Sequence, residues 1–453
     1  MARYLPHTEE EVKEMLEAIG VKNVEELYRD IPEELRSEGL NLPNGLDEIS
    51  LKRHFNDLSR RNRTLKEYMV FRGAGVYYHH VPEVVKHLAM RSEFLTAYTP
   101  YQAEVSQGTL QVMFEFQTMI CELTGMDVAN SSMYDGASAT AEAILMASRL
   151  TDRFRALVAS NIHPEYLQVS RTYAEGAGIK IEMVKYDEDT GRVDLDDLKK
   201  MLTSNEKPSC FVTGYPNFFG VIEDLRLIRE ALPDDVMMIV VVNPLTLALL
   251  EPPGSFGADI VVGDGQPLGI PPRLGGPSFG IFATKEKHVR QMPGRIVGMT
   301  EDREGRTGFV MILQTREQHI RRHRATSNIC SNHAHGALMA TIYLSYMGKH
   351  GLQEVAKQCY SKAHYLADKL SKVEGIRLRF SGPFFNEFVA SVDVDPFKLN
   401  EYLKSQRILG PLPLKRFYSE LHNEVLFCAT EMNTAEEITF LAGRLEAMKN
   451  ADI

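Results

Sequence analysis

The sequence predicts an α/β protein with a mostly parallel sheet covered by helices, followed by a smaller α+β domain. From about residue 110 to 285, apolar strand-like runs alternate with amphipathic helical segments, which is typical of right-handed β–α–β crossovers. Near residue 331 this alternation gives way to long helical segments and later strands. We therefore divide the chain into a helical arm (1–70), a large α/β domain (71–330) and a small α+β domain (331–453).

The helical arm has recognisable start signals. Thr8 predicts the start of a helix, with Glu11 three places on as in a capping box. A basic stretch at 53–63 predicts a solvated helix face. Val12, Met15, Leu16 and Ile19 form the apolar stripe of this first helix.

Elements of the two larger domains follow from apolar periodicity. The large domain opens with predicted helices at 110–125, which Gly125 is placed to end, and at 138–150. Its strands are predicted at 156–160, 179–184, 209–213, 237–242, 259–263 and 278–284. The small domain is predicted to contain helices near 333–347, 351–372, 396–405 and 434–449, and strands near 376–380, 387–393 and 424–428.

Composition limits the classes of function. The 453 residues are 44% hydrophobic and 25% charged, the balance of a soluble globular protein. A net charge of -10 argues against a nucleic-acid partner, since binding phosphates needs a surplus of Lys and Arg. The five cysteines are widely spaced with no CxxC pair, which favours a reducing cytoplasm over a disulfide framework. We expect no signal peptide and no membrane span, because no apolar run approaches the ~20 residues that a span needs.

A glycine-containing turn is the first candidate ligand site. In YDGASAT (134–140), Gly136 lets the backbone turn tightly and Ser138 could cap the helix that follows. The amides of Ala137 and Ser138 would then face an anion such as a phosphate. The alternative is an ordinary turn with a helix cap.

Other short motifs give weaker signals. GAGVYY (73–78) and GDGQPLG (263–269) lack the third glycine of a dinucleotide fingerprint, and GxxxxGK[ST] and HExxH are absent. His319 and His323 lie four apart on a predicted helix without a carboxylate ligand, so we predict a basic helix face and no metal site. Four arginines lie close together in this stretch: Arg316, Arg321, Arg322 and Arg324. They could bind a carboxylate, a phosphate or an acidic protein, or they could form a solvated helix.

Tyrosines concentrate in YYHHVPEVV (77–85) and FLTAYTPYQAEVSQGTLQ (94–111). Buried or interfacial tyrosines need polar partners, and Gln102, Glu104 and Gln107 are available. These stretches form either a structural corner or, as we prefer, a pocket or subunit contact.

One further segment has the shape of a catalytic turn but no reactive residue. In DIVVGDGQPLG (259–269) a buried strand leads into a polar, glycine-rich bend that offers no nucleophile, base or lysine. An explanation comes from a resemblance that covers essentially the whole chain.

Six stretches of the chain resemble the glycine-cleavage P-protein family, in its amino-terminal-type subunit. They are FRGAGVYYHHVP, AYTPYQAEVSQG, YDGASATAEA, HPEYLQVSRTYAEG, DGQPLGIPPRLGGPSFG and TREQHIRRHRATSNIC. The resemblance implies an aminotransferase-like pyridoxal-phosphate fold of type I, with a large parallel-sheet domain and a smaller carboxy-terminal domain. It also implies a homologous partner, subunit 2. The pair would decarboxylate glycine and pass the aminomethyl group to the lipoyl arm of the H-protein.

The resemblance also implies that this chain has lost its own cofactor chemistry. Catalytic relatives carry a Schiff-base lysine in the bend, which corresponds here to Gln266 or Pro267, and neither offers the required amine. Asn243 stands where relatives place an aspartate on the cofactor ring nitrogen, and His163 where they stack an aromatic residue. The degenerate cofactor pocket would comprise Gly136, Ala137, Ser138, His163, Asn243 and Gln266.

We therefore expect a non-catalytic or half-catalytic subunit of a heteromeric glycine decarboxylase, with pyridoxal phosphate bound covalently by the partner. Sites of this fold lie between two subunits, so this chain can complete the partner's site. The alternatives are an independent enzyme that holds the cofactor noncovalently through Ser138, His163 and Asn243, or a structural or regulatory subunit. Candidates for the shared site are Tyr98, Thr99, Tyr101, Gln102, Glu104, Gln107 and Arg316.

Overall fold

The structure is a computed structural model that divides into two compact units, one ending at Arg63 and the other beginning at Thr64. Two residues of the motifs discussed above, Leu274 and Gly275, lie outside the described residues, and so does Ser331 at the predicted domain boundary. None of the described helices combines the length and the apolar character needed to cross a membrane. The described residues are 6–37, 39, 41–273, 276–330 and 332–450.

The amino-terminal unit contains two α-helices, α1 (Glu9–Ile19) and α2 (Glu48–Ser59). The capping box predicted at the start of α1 is confirmed: the Glu11 amide donates to the Thr8 hydroxyl, and the Thr8 amide to the Glu11 carboxylate at 2.7 Å. No residue in either helix is buried within the structure. The basic stretch 53–63 is exposed throughout and helical up to Ser59.

The second unit contains the remaining helices and all of the described strands. Its helices are α3 (Glu83–Ala89), α4 (Ser92–Leu95), α5 (Gln107–Thr124), α6 (Gly136–Thr151), α7 (Pro164–Gly176), α8 (Leu195–Leu202), α9 (Leu225–Ala231), α10 (Gln318–Arg321), α11 (Ala334–Ser371), α12 (Pro396–Ser405) and α13 (Ala435–Asn450). Its strands are β1 (Met69–Val70), β2 (Val128–Ala129), β3 (Arg155–Ala159), β4 (Lys180–Val184), β5 (Cys210–Tyr215), β6 (Met237–Val242), β7 (Ile260–Asp264), β8 (Gly280–Thr284), β9 (Ile296–Glu301), β10 (Thr307–Ile312), β11 (Ile376–Leu378), β12 (Glu387–Val392), β13 (Ile408–Leu409), β14 (Leu412–Pro413) and β15 (Glu424–Cys428).

A seven-stranded sheet in the order β2-β8-β7-β6-β5-β3-β4 forms the centre of this unit. Strands β3 to β7 run parallel, whereas β8 is antiparallel to β7, and β2 to β8. The six strands predicted in this region are confirmed to within two residues at each end. Successive residues face opposite sides of the sheet. Leu157 therefore packs in a core with α5 and α11, and Val158 packs in a core with α6 and α7.

A smaller antiparallel sheet, in the order β11-β12-β15-β14, lies later in the chain with α12 and α13. The two long helices predicted before it are joined as α11, which bends at Gly348, where φ is 59° and ψ is -176°. The antiparallel hairpin of β9 and β10 is an addition that the sequence pattern did not predict. Both sheets belong to one compact unit, so the predicted division into a large and a small domain stays a prediction.

The parallel strands place several predicted site residues along one edge. Asn243 follows β6, Asp264 ends β7, and α6 begins at Gly136. Ligands of such sheets usually bind beyond the carboxyl ends of the strands, so this edge is where a site is expected.

Candidate functional site

The bend after β7 is closed by Gln266, whose side chain is buried and bonded only to main-chain atoms. Its amide nitrogen donates to the carbonyl oxygens of Tyr77 at 2.9 Å and Ile270 at 2.7 Å. Its oxygen accepts from the Tyr77 amide at 2.9 Å. The residue that stands where a lysine is expected therefore fastens the bend to the loop that follows β1.

The amino terminus of α6, the predicted anion site, is occupied by carboxylates of the chain itself. Asp264 accepts from the Gly136 amide at 3.1 Å, and Asp135 accepts from the Ser138 amide at 2.7 Å. Asp135, not Ser138, is the helix cap, so our expectation that Ser138 caps α6 was wrong. The reason is that Asp135 lies one residue before the helix, where a side chain reaches the free amides. Burial raises the pKa of Asp264.

Around this helix terminus the remaining cavity is only about 60 Å³. Small-molecule sites commonly measure ~300–1,000 Å³. A cavity this size holds a few waters at most, since each water needs at least about 10–15 Å³ of such space. Its lining includes His163, Tyr166, Asn243, Asp264 and Pro267.

The His163 ring stacks on another side chain rather than facing open space. It lies 4.5 Å from the Tyr166 ring at an interplanar angle of 24°. Its Nδ1 accepts from the Glu165 amide at 3.2 Å, so the proton is on Nε2, which donates to the Ala74 carbonyl at 3.0 Å. Burial lowers the pKa of His163, which keeps the ring neutral. Gly75 packs against the ring so closely that a Cβ there would lie 2.8 Å from Nε2.

Asn243 also has a local role. Its side-chain oxygen accepts from the Leu245 amide at 3.1 Å and caps a short 3-10 turn. An amide carries no charge, so this side chain cannot balance a protonated pyridine ring as a carboxylate would.

The loop after β1 closes the same region from the side of the small sheet. The Tyr77 hydroxyl donates to Glu387 of β12 at 2.7 Å, and the Ala74 amide donates to the same carboxyl group at 2.6 Å. Burial raises the pKa of Glu387 to about 7. Gln266 and Glu387 thus hold one loop between the two sheets.

A second, larger cavity of about 450 Å³ lies beside the tyrosine-rich segment 94–102. Tyr98 and Thr99 line it together with apolar side chains from α5 and α11, among them Met113 and Met339. Ser278 and His333 add polar groups to the lining. Tyr98 is 75% exposed and Tyr101 is 50% exposed, which is unusual for large aromatic side chains.

Tyr101 is held by a buried ion pair. The Arg295 guanidinium lies 5.7 Å from the centre of the Tyr101 ring and 3.4 Å from its hydroxyl. Arg295 also pairs with Glu317 at 3.5 Å, and the His319 ring packs edge-on against Tyr101 at 5.3 Å. A partly exposed phenol is therefore fixed in place by charged groups beneath it.

The other predicted shared-site residues have different surroundings. Gln102 and Glu104 are exposed, whereas Gln107 bonds to main-chain atoms of Ala103 and Phe309 and joins α5 to β10. We expected these three side chains to be partners for the tyrosines. The Tyr101 hydroxyl instead accepts a hydrogen bond from Arg295.

Arg316 is not part of an exposed basic patch. Its guanidinium is buried and donates to the main-chain carbonyls of Met292, Leu313 and Gly294. With those donors engaged, the side chain is not free to grip an anion. The helix predicted through His319 and His323 is also interrupted, because α10 ends at Arg321 and Arg322 has a φ of 53°.

Sequence reasoning missed four residues that shape these sites: Asp135, Asp264, Glu387 and Arg295. Asp264 had a local signal, since it directly follows the buried strand segment IVVG. Arg295 and Glu387 had none, because their partners are 194 and 310 residues away in the chain.

Comparisons with known proteins agree with this fold and these motifs. The family model described as "Glycine cleavage system P-protein" matches residues 2–445. The chain belongs to that family. It is 56% identical over 446 residues to a Thermotoga petrophila protein named "Probable glycine dehydrogenase (decarboxylating) subunit 1", covering 98% of this chain and 99% of the relative. A Desulfitobacterium hafniense protein of the same name is 49% identical over 98% of this chain and 100% of its own length.

Solved structures confirm the fold class. An inhibitor-bound glycine decarboxylase (P-protein) is 43% identical, with a TM-score of 0.89 over 98% of this chain and all of the other. A Burkholderia pseudomallei sphingosine-1-phosphate lyase is 14% identical, with a TM-score of 0.67 over 92% of this chain and 94% of the lyase, and it shares the fold alone. The aminotransferase-like pyridoxal-phosphate fold of type I is therefore confirmed for this P-protein family member.

The residues at the sheet edge do not fit pyridoxal phosphate within this chain. The bend presents a bonded glutamine instead of an amine, and the Gly136 and Ser138 amides at the start of α6 already bind Asp264 and Asp135. The cavity of about 60 Å³ is too small for the ring.

Proposed function

We propose that this chain is subunit 1 of a split glycine dehydrogenase (decarboxylating), and that it completes an active site whose pyridoxal phosphate is bound covalently by subunit 2. The observation that carries the proposal is the closed sheet edge, where Gln266, Asp135 and Asp264 fill the places of lysine and phosphate. A chain with this edge has no site of its own for the cofactor. Its relatives are nevertheless named as a subunit of the enzyme.

The part donated to the partner is, in this proposal, the segment 94–102. Tyr98 and Tyr101 place large aromatic surfaces in solvent, and Arg295 fixes the Tyr101 ring. At an interface these side chains would exclude water and orient the substrate, with the Tyr101 phenol as a hydrogen-bond donor. Thr99, Gln102 and Glu104 belong to the same surface, which Gln107 joins to β10 and the buried Arg316 supports from beneath.

Bound to the partner, pyridoxal phosphate supplies the electron sink that glycine decarboxylation requires. The remaining aminomethyl group passes to the lipoyl arm of the H-protein, so the substrates are glycine and that carrier. The isolated chain is inactive in this account. The described cysteines are free thiols, which supports a cytoplasmic location.

An independent enzyme that holds the cofactor noncovalently is the second candidate. Its expected contacts were Ser138, His163 and Asn243. The Ser138 amide is bonded to Asp135, the His163 ring is stacked on Tyr166, and the Asn243 oxygen caps a turn. These engagements favour the shared-site proposal.

The test compares glycine decarboxylation by this chain, by its partner and by the mixture, with assembly checked by size-exclusion chromatography. We expect turnover only in the mixture, and a loss of at least about tenfold in assembled Tyr101→Ala complexes. Tyr365→Ala removes a partly exposed tyrosine of α11 and serves as the control. Robust turnover by the isolated chain would contradict the proposal.

Charge reversal separates the shared-site proposal from a purely structural or regulatory subunit. Glu104→Lys should lower the activity of the assembled complex, whereas Glu401→Lys, at an exposed position of α12, should not. Full activity of an assembled Glu104→Lys complex would favour the structural role.

A further inference from the structure

We propose that His79, Cys359 and Glu431 form a binding site for Zn²⁺ in the second unit, apart from both cavities described above. His79 lies in the loop after β1, Cys359 on α11, and Glu431 in the loop after β15. The sequence predicted no metal site because these residues are between 72 and 352 positions apart and form no short motif. The fold alone brings them together.

The three side chains offer one ligand atom each, and these atoms all lie within 4.8 Å of one another. His79 Nδ1 is 2.7 Å from Glu431 Oε2, and Cys359 Sγ is 3.3 Å from the same oxygen. In a tetrahedral zinc site with bonds of about 2.0–2.3 Å, ligand atoms stand roughly 3.3–3.7 Å apart. The two measured contacts would therefore lengthen by less than about 1 Å to admit the ion.

The site is enclosed, and one of its polar atoms has no partner. The His79 side chain is 2% exposed and the Glu431 side chain 12%. His79 Nε2 has no hydrogen-bond partner among the described residues. A buried polar atom without a partner calls for an explanation, and a bound ion or water is one.

The donor set matches zinc by its chemistry. An imidazole nitrogen, a thiolate and a carboxylate suit Zn²⁺, whereas Mg²⁺ and Ca²⁺ prefer oxygen ligands alone. Glu431 is oriented for this role, since its other oxygen accepts from the His80 amide at 2.6 Å. A water would complete the fourth position.

Binding exchanges protons for the ion. The Cys359 thiol, which now donates to Glu431, loses its proton to solvent, and the proton that His79 shares with Glu431 moves to Nε2. No bond is oxidised or reduced. The ion would join the loop after β1 to α11 and to the loop after β15.

Cobalt provides the direct test, because a thiolate bound to Co²⁺ absorbs in the near ultraviolet. The full-length, untagged chain is stripped with chelator and titrated with Co²⁺ under anaerobic conditions, with a phosphine reductant that contributes no thiol. We expect a thiolate-to-cobalt band that saturates at one ion per chain and is displaced by Zn²⁺. Zn²⁺ should also raise the thermal unfolding midpoint, since binding to the folded state alone stabilises it.

Two variants assign the band to this site. Cys359→Ser should abolish it, and Glu431→Gln should weaken Co²⁺ binding at least tenfold while keeping the hydrogen-bonding shape. Cys428→Ser changes another buried thiol and should leave the band intact. The proposal is wrong if the unmodified chain shows no band, if the band survives Cys359→Ser, or if Cys428→Ser removes it. Circular dichroism checks that each variant is folded. If Cys359→Ser is not folded, the Glu431→Gln result alone decides the test.

Discussion

Gln266 connects the end of the central sheet to the loop after β1 through two hydrogen bonds to the main chain of Tyr77, and a third closes the bend at Ile270. Asp135 and Asp264 act in the same way at the start of α6, where they supply the negative charge that a bound phosphate would supply elsewhere. Single side chains thus make this edge of the sheet a structural junction.

Removal of the Gln266 side chain should therefore destabilise the fold. Gln266→Ala leaves the amide and carbonyl of Tyr77 and the carbonyl of Ile270 without partners, at a cost of about 2–4 kcal/mol in the free energy of unfolding. Urea denaturation measures this, with Gln168→Ala on the exposed face of α7 as the control, expected to change stability by under about 0.5 kcal/mol. Equal effects of the two substitutions on the free energy of unfolding would show that the Gln266 side chain does not stabilise the fold.

Glu387 should make stability depend on pH. Burial raises its pKa to about 7 in the folded chain, well above the usual value, so the folded state holds the proton more tightly. Its contribution is present below the unfolded pKa and is lost as the pH rises through about 7. Between about pH 5 and pH 8, the wild type should lose roughly 2–3 kcal/mol more stability than Glu387→Gln does.

Denaturant unfolding of both proteins at the two pH values checks this prediction. Glu223, whose pKa burial also raises to about 7, is present in both, so the difference between them isolates Glu387. Glu401→Gln, at an exposed position, should follow the wild type. Identical pH profiles for wild type and Glu387→Gln would refute the assignment.

At this scale the resemblance pointed to Gln266 and Asn243, which we expect where catalytic relatives carry a lysine and an aspartate, but not to what these side chains bond to. The contact between Asp264 and Gly136 spans 128 residues and depends on how β7 and α6 meet, which no local pattern encodes. Arg316 was misjudged for the same reason: its three carbonyl partners are set by tertiary structure.

Among the elements, long apolar runs were the most predictable. Strands β5, β6 and β7 are buried on both faces, and their near-continuous apolar sequences predicted them closely. The β9–β10 hairpin was missed because its strands are partly exposed and mix polar with apolar residues. The helix expected through 319–323 fails at Arg322, whose positive φ no sequence pattern announced.

The bend in α11 gives a prediction at the level of elements. Gly348 has a φ of 59° and a ψ of -176°, a region open essentially only to glycine, so Gly348→Ala should cost about 1–3 kcal/mol. Its Cβ would meet nothing within 4 Å, so strain alone carries the effect. Gly443→Ala on the exposed side of α13 should instead stabilise by up to about 1 kcal/mol. Thermal unfolding measures both changes in stability. A Gly348→Ala variant as stable as the wild type would argue against the bend.

On the scale of the whole molecule, one edge of the central sheet is closed and another surface offers exposed tyrosines. The resemblance in the motifs was enough to predict the family and the fold, and both are confirmed. It could not predict the partner surface, because exposure of Tyr98 and Tyr101 depends on the packing of α5, α11 and the β9–β10 hairpin around them. We therefore propose that this chain supplies half of a shared site and that its partner holds the cofactor.

The most direct test of that central claim asks which chain carries the cofactor. The assembled complex is treated with borohydride, which fixes pyridoxal phosphate to the amine that holds it, and both chains are then mapped by mass spectrometry. We predict a single labelled lysine in the partner and no label in this chain, alone or in the complex. A labelled lysine in this chain would mean that this chain itself binds the cofactor, which would contradict the proposal.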